Sequence, residues 1–496
     1  MNTGKLSAVT IGIVMSLVLL IIAAAPVAAA DRASNASAPM RVVTGGFTVQ
    51  QQLQMQADRS RRLLEDLPST AMVFRVPLTE KEVLGIDRPT RSTVPLKIGL
   101  VKAIAPKIEV NGLKRVTTDR ETGRGKSAIA VLSREGGLVW AAIVSSRNAG
   151  AIRLHVQGMS LPGNVEMYLY SRDGQAYGPY IGAGPHGNGD FWTQTIFGSE
   201  AILQLRVSPG AARFNLNGVS FRVVQAGLIT PRFAGKLLDN PQIKAPPAPG
   251  WPCGNPNCVV DASCYNGVAD SLSLAVAKME WIQGAYIYTC TGGLISDNNP
   301  SQDNFFLSAN HCISKSTTAK NVNLYWRFAT SSCNASSCPN NSGWPYQTSG
   351  ATVSKSNRKG DFSLLHLNTT PPAGSVTLGW TSTPVANSNG TKLYRVSNPN
   401  FGPQVYSEHQ VDTSAPTCSS WPRGERIYSR DTLGAIDGGS SGSPIVNSSA
   451  QIVGQLSGTC GLNPSNPCSS GPGEDNATVD GAFAFYYLSV QPFLNP

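Results

Sequence analysis

The sequence predicts an all-β protein built from two β-rich regions, and three observations carry that reading. Short runs that alternate apolar and polar side chains recur along both halves, separated by turn residues. Gly (49) and Pro (34) are plentiful and spread out, which suits strands joined by many turns. A Pro-rich stretch near the middle, Lys244-Ala245-Pro246-Pro247-Ala248-Pro249-Gly250, separates a half without cysteine from a half that holds all ten.

The chain has 496 residues, enough for two or three domains of ordinary size. With 41% hydrophobic and 14% charged residues it reads as globular, loop-rich and able to bury large cores. The N-terminus reads as a secretory signal. Lys5 gives a positive start, an apolar run extends from about Val9 to Ala25, and Ala28-Ala29-Ala30 offers a cleavage site, so residues 1–30 are assigned to the signal peptide. A retained anchor is the competing reading, because the run approaches bilayer-spanning length.

Residues 31–240 are expected to form a pro-region. Ser60-Arg61-Arg62-Leu63-Leu64-Glu65 suggests a short helix. From about 127 to 225 the pattern turns to strands. Ala151–Val156 and Val165–Tyr170 alternate, and Ser171-Arg172-Asp173-Gly174 supplies a hairpin turn. Further strands are expected at Ala201–Val207 and Ser220–Val224, a spacing that suggests a β-sandwich. Residues 241–252 cannot form helix or ladder and read as an exposed, stiff linker. Beyond it, in 253–496, short strands are expected at Ala285–Thr289, Phe305–Ser308, Val322–Arg327, Phe362–Leu367, Lys392–Val396, Ile427–Ser429, Ile452–Leu456 and Ala482–Tyr487. That is the pattern of an all-β barrel or sandwich.

Charge and cysteine usage exclude several functions. The net charge is +10, but from Pro246 onward 12 Lys and Arg face 14 Asp and Glu, a net of −2, which leaves +12 in front. No nucleic-acid motif accompanies the basic half, so a basic pro-region resting on a weakly acidic partner is the better reading. Ten cysteines confined to one half point to disulfides in an oxidising compartment, hence to a secreted or periplasmic protein. No paired C-x-x-C motif is present, so no metal and no cofactor is expected.

Chemistry gathers at three places. Gly438-Gly439-Ser440-Ser441-Gly442-Ser443-Pro444 brackets a serine with glycines ahead of an apolar strand. A nucleophilic serine needs such a tight turn, with backbone N–H groups converging on one small space to hold an oxyanion. Phe305-Phe306-Leu307-Ser308-Ala309-Asn310-His311-Cys312 places one of only five histidines at the end of an apolar strand. A neutral imidazole near a serine can take its proton and return it to a leaving amine. Asp361 opens the apolar strand Phe362-Ser363-Leu364-Leu365, where a carboxylate is costly unless paired, and a histidine N–H would pair it.

Together these strings resemble the histidine, aspartate and serine motifs of chymotrypsin-fold proteases, in that chain order. Asn323-Leu324-Tyr325-Trp326, Val453-Gly454-Gln455-Leu456 and the pair Cys258 and Cys264 resemble in particular the secreted bacterial lysyl endopeptidases. The resemblance covers about residues 253–493. It implies a double β-barrel in which Ser441 is nucleophile, His311 base and then acid, and Asp361 the residue that orients His311. It places Gly439 and Ser441 N–H at the oxyanion. Ser457, Gly458 and Thr459 would bind substrate, with Ser457 also bonding the aspartate. It further implies disulfides Cys290–Cys312 and Cys264–Cys333, and Cys258 with Cys460 or Cys468.

Departures from the animal trypsins are informative. Ser440 stands where they carry the aspartate that binds a new N-terminus, and Ala435 where they carry the specificity aspartate. By resemblance the acidic pocket residue lies on a later strand, and Asp480 is the candidate, with Asp437 a competing donor nearer the pocket rim. The expected activity is that of a serine endopeptidase acting on proteins or peptides after Lys or Arg. Its own pro-region is the expected intramolecular inhibitor or folding aid. The alternatives are a protease-fold binding or adhesion protein without catalysis, and an esterase using the same serine.

Overall fold

The computed structural model describes residues 36–87, 94–115, 128–209, 216–234, 256–299, 303–335 and 345–496. The signal segment, the 241–252 linker, Cys253 and Cys338 lie outside the described residues. The chain is mostly β.

After two short strands, Ser37–Ala38 and Arg41–Val42, which pair with Gly379–Thr381 and Val376–Thr377, the front half forms a helix longer than the sequence pattern suggested, Val49–Glu65. Thr48 starts it through a capping box: Thr48 Oγ1 accepts from Gln51 N at 3.3 Å, and Gln51 Oε1 accepts from Thr48 N at 2.9 Å. Two sheets follow. One is ordered Ala176–Tyr180, Val165–Tyr170, Glu200–Val207, Leu138–Ser145. The other runs Ala151–Ser160, Ser220–Ile229, Leu96–Asn111. Alternation turns one face of each sheet inward, so Trp140 and Leu203 of the first share a single core with Leu154, Phe221 and Leu228 of the second. The hairpin at Ser171–Gly174 forms, Ser171 N donating to Gln175 O at 3.0 Å while Gly174 takes φ +102°.

The second sheet does not stop at the front half. Strand Leu96–Asn111 pairs antiparallel with Tyr286–Leu294, Leu100 opposite Tyr286 and Leu96 opposite Thr289. Strands from both halves therefore belong to one twelve-stranded sheet. Buried polar contacts reinforce the join. Arg153 meets Glu280 at 3.3 Å with both side chains fully buried, and Thr195 Oγ1 donates to Glu280 at 2.8 Å. Within the second half, the fully buried Lys278 donates to Phe401 O at 3.0 Å, with its ammonium 3.5 and 3.6 Å from the ring centres of Phe328 and Phe401.

The second half holds two barrel-like units. In the first, Ala351–Asn357, Phe362–Leu367, Phe305–Ala309, Tyr286–Leu294, Val276–Gln283, Asn323–Trp326 and Tyr346–Ser349 pair in that order. Its outer strands meet at Gly350, which turns the corner with φ +85°. The second closes completely. Lys392–Ser397, Val405–Val411, Arg426–Leu433, Asn476–Ala482, Gln451–Gly461 and Pro444–Val446 pair around a six-membered ring. A closed barrel and a half-barrel side by side are the chymotrypsin-type arrangement.

One expected strand is a helix. Ala482–Tyr487 belongs to the end of Asn476–Ala482 and the start of the helix Phe483–Leu494. Phe483, Tyr486, Tyr487, Val490 and Leu494 are its buried face, spaced by three and four residues. Trp380 packs against Phe483 and Tyr487, ring centres 5.5 and 5.2 Å away. A short apolar run has no period of its own, and only the longer segment reveals the helical spacing.

Candidate active site

The site lies between the barrel-like units, on loops that leave their strands. Strand Phe305–Ala309 ends just before His311, and Cys312 is bonded to Cys290 of strand Tyr286–Leu294. The bridge ties the histidine loop to the neighbouring strand. Asp361 precedes strand Phe362–Leu367, the hydrogen-bonded partner of Phe305–Ala309. Sheet pairing thus brings residues 50 apart into contact. Asp361 Oδ2 lies 2.9 Å from His311 Nδ1, and Asp361 Oδ1 accepts from His311 N at 3.1 Å. Asp361 holds φ +50°, a left-handed conformation uncommon outside glycine and tolerated best by Asp and Asn. Gln455 buttresses that backbone, its Nε2 donating to Asp361 O at 3.0 Å and to Gly360 O at 3.2 Å, while Tyr486 holds the Gln455 carbonyl.

Ser441 sits on the turn before strand Pro444–Val446. Thr291 fixes this turn twice: Thr291 N donates to Ser441 O at 2.9 Å, and Thr291 Oγ1 donates to Gly439 O at 2.9 Å. Glycine is obligatory at 442, where φ is +81° and a Cβ would lie 2.2 Å from Ser308 Oγ and 2.6 Å from Thr291 O. The Gly438 carbonyl accepts from Asn400 N at 2.6 Å. Because a trans peptide sets C=O and N–H in opposite directions, Gly439 N–H turns away from Asn400.

One cavity is lined by His311, Asp361, Gly439, Ser441, Ser457, Gly458 and Thr459. The structure therefore gathers seven of the eight expected site residues. His311 Nε2 and Ser457 Oγ are buried without a hydrogen-bond partner. The bonds expected from Ser441 to His311 and from Ser457 to Asp361 are thus not made in this form of the chain.

Asp480 requires a correction. It is fully buried and ion-paired to the equally buried Arg395 inside the closed barrel, and it does not line the cavity. Arg395 also donates to Ser443 O at 2.8 Å. The ion pair through Asp480 Oδ1 offsets the desolvation of both charges, while Asp480 Oδ2 stays buried without a hydrogen-bond partner. Asp437 does line the cavity. Its carboxyl is pushed up by burial and held by Gly438 N at 2.7 Å and Asn400 Nδ2 at 2.8 Å.

Sequence reasoning missed Thr291, Gln455 as a brace, Arg426 and Trp421. The last two line the cavity, and Trp421 packs over Gly458, 3.5 Å from where a Cβ would stand. Missed too were cavity-lining residues of the front half: Asp87, Val94, Leu96, Arg232 and Phe233. Leu96 rests against Gly438, with Cδ2 3.5 Å from the position of a Cβ there.

Among the described residues four disulfides are present: Cys258–Cys468, Cys264–Cys333, Cys290–Cys312 and Cys418–Cys460. Cys258 therefore takes Cys468, and Cys460 takes Cys418. Among the described residues no helix is long and apolar enough to cross a membrane. Cys290, His311 and Cys312 cluster closely, but both thiols are spent in a disulfide and offer no thiolate to a metal.

Residues 255–470 match the family described as lysyl endopeptidase, C-terminal domain. A lysyl endopeptidase of Pseudomonas aeruginosa is 28% identical over 396 residues, 78% of this chain and 79% of that protein. Among solved structures, the HtrA-type protease AlgW with tripeptide is 14% identical with a TM-score of 0.32, over 46% of this chain and 64% of that one. The Rv3671c protease from M. tuberculosis in its active form is 17% identical with a TM-score of 0.29, over 46% and 85%. With the chymotrypsin-type pair of units behind the site and the family match across it, the chain is a serine endopeptidase similar to the lysyl endopeptidases.

Proposed function

We propose that the chain is the precursor of a secreted endopeptidase that cleaves after Lys or Arg and is restrained by its own front half. In this reading residues 1–30 are a signal, 31–240 a pro-region, 241–252 a linker and 253–496 the enzyme. The observation that carries it is the convergence of His311, Asp361 and Ser441 on one cavity.

Ser441 Oγ attacks the scissile carbonyl carbon and gives its proton to His311 Nε2. Asp361 accepts from His311 Nδ1–H, which fixes the tautomer that leaves Nε2 free to act as base and steadies the imidazolium. The Gly439 and Ser441 N–H groups stabilise the oxyanion, and the turn held by Thr291 and Asn400 sets them in advance of the reaction. His311 returns the proton to the leaving amine. Water, activated by the same imidazole, then hydrolyses the acyl-enzyme. Ser457, Gly458 and Thr459 lie on the outer part of strand Gln451–Gly461 and would pair with the substrate backbone.

The basic preference is supported by the similarity to lysyl endopeptidases, not by Asp480. Export is supported by the four disulfides. Restraint by the front half is supported by Leu96, which occupies space beside Gly438 that a substrate needs.

A fluorophosphonate probe tests the assignment. The active protein should be labelled on Ser441 alone, and products of a denatured protein substrate should end in Lys or Arg. Labelling elsewhere would overturn the site, and products ending in large apolar residues would overturn the specificity.

A further inference from the structure

Strand Leu96–Asn111 shows which way the cleft is read. Along Tyr286–Leu294 the register places Leu100 opposite Tyr286 and Leu96 opposite Thr289. Two residues beyond Thr289, Thr291 N bonds Ser441 O. Antiparallel pairing therefore puts Val94 and Leu96 nearest the nucleophile, and the following residues lead away from it. A substrate runs in the same sense on its leaving-amine side, since residues after the scissile bond lead away from the serine towards the C-terminus. The front half thus fills the leaving-amine side of the cleft in the productive chain direction, with Leu96 seated on Gly438.

Asp437 adjoins that seat. It precedes Gly438, and its two carboxylate oxygens are anchored by Gly438 N and by Asn400 Nδ2. Neither anchor carries charge. Arg232 of the front half lines the same cavity without a direct ion pair to Asp437; it donates to Asp87 O and lies over Phe233 at 5.3 Å, and its charge favours the ionised Asp437 carboxylate. A partly buried carboxylate on a cleft wall favours a cation, because the ion pair offsets its desolvation. Cleavage of the linker and loss of the front half would remove Arg232 and leave that place to the substrate.

We infer that Asp437 is a specificity residue for the leaving-amine side, selecting Lys or Arg within the first two residues after the scissile bond, and that Arg232 holds its place in the uncleaved chain. The inference rests on the endopeptidase reading above. It is separate from the preference before the scissile bond, which Asp437 does not set.

The test is a peptide library randomised on both sides of the cleaved bond and digested by the active protein, with Asp437→Asn and Asp437→Glu beside wild type. Wild type should enrich Lys and Arg at the first two leaving-side positions by about two- to fivefold, the scale of a partly screened ion pair. Asp437→Asn should abolish that enrichment while the residue before the bond stays unchanged. Asp437→Glu should restore part of it. Wild type that cleaves the library without leaving-side enrichment would overturn the inference and leave the endopeptidase intact. So would a loss confined to the position before the bond, since Asp437 would then serve the other side. Should Asp437→Asn fold poorly, Arg232→Glu in the uncleaved chain gives an independent reading. Like charges would loosen the front half and raise activity before processing, and no change in activity would count against an electrostatic link between Arg232 and Asp437. Failure of wild type to cleave any peptide would sink the endopeptidase reading itself.

Discussion

The closed barrel contains a second Ser–His–Asp array, and its contrast with the set proposed to be catalytic in the cleft lies in burial and access. Ser407 Oγ lies 2.8 Å from His409 Nε2, and His409 Nδ1 lies 2.8 Å from Asp431 Oδ1. The hydrogen-bond order matches that proposed for Ser441, His311 and Asp361. The surroundings differ. Ser407 and His409 are each 1% exposed, on one strand, with Arg395 and Thr478 closing the array. In the cleft the His311 and Asp361 side chains are 21% and 11% exposed, and Ser441 projects from a glycine turn into a cavity. A nucleophile needs room for a carbonyl and donors for the oxyanion, and the buried set has neither.

The largest expected effect breaks the symmetry of the two serines. Ser441→Ala should lower turnover by on the order of 10⁴–10⁶. Ser407→Ala should leave turnover intact and lower stability by about 1 kcal/mol, the worth of a buried hydrogen bond. Hydrolysis rates and urea melts on both variants check this. Comparable rate losses would mean that the buried array takes part in catalysis.

The carboxylates sharpen the contrast. Asp361→Asn should cost about 10⁴ in kcat with little loss of stability, because the amide keeps the shape and spoils the tautomer. Asp431→Asn should spare kcat and destabilise the fold. Asp431 Oδ1 serves both His409 and Thr478 and is buried, so breaking it costs about 1–3 kcal/mol.

A third pair lies where the two halves meet. Arg153 and Glu280 are both fully buried, one from each half. Arg153→Met should destabilise the uncleaved chain by about 3–5 kcal/mol, because Glu280 is left charged and unpaired beneath Thr195 and Tyr325. Adding Glu280→Gln should recover much of that loss. Thermal melts of the single and double variants measure the coupling, and additive losses would show that the two residues act independently.

The sequence made much of this readable, for reasons that vary by region. Strands Val165–Tyr170 and Phe362–Leu367 lie where alternation and apolar runs placed them, since half-buried and core strands carry their burial in their pattern. The three site strings were readable because glycines, a rare histidine and a carboxylate stand at the ends of apolar strands. Asp480 could not be placed from sequence. Its partner Arg395 is 85 residues away and reaches it only through barrel closure. Strand Leu96–Asn111 escaped notice for the same kind of reason. Its outer half packs on the sandwich and its first residues on the enzyme, so no single alternation runs through it.

The smallest expected effect concerns that shared strand and acid. Lys102 on it pairs with Glu82 at 2.5 Å. Its ammonium, with Thr79, holds the Glu82 carboxyl down to about 2, below the ordinary value of 4.5. A carboxyl whose pKa is lowered on folding stabilises the fold above the unfolded value and ceases to do so as pH falls through the folded value. The contribution should therefore be complete above about pH 5 and fade between about pH 4.5 and 2. The pair is partly exposed at 27% and 32%, so solvent screening keeps the effect small. Glu82→Gln should lower the melting temperature slightly at pH 7 and much less near pH 2, where wild type has lost about half of the same charge. The buried Arg153–Glu280 pair provides the contrast, since salt at pH 7 should erase the Glu82 effect and leave that of Arg153→Met in place. Equal salt sensitivity in both variants would mean that water reaches the join between the halves, and the division drawn here between sealed and open ion pairs would fail.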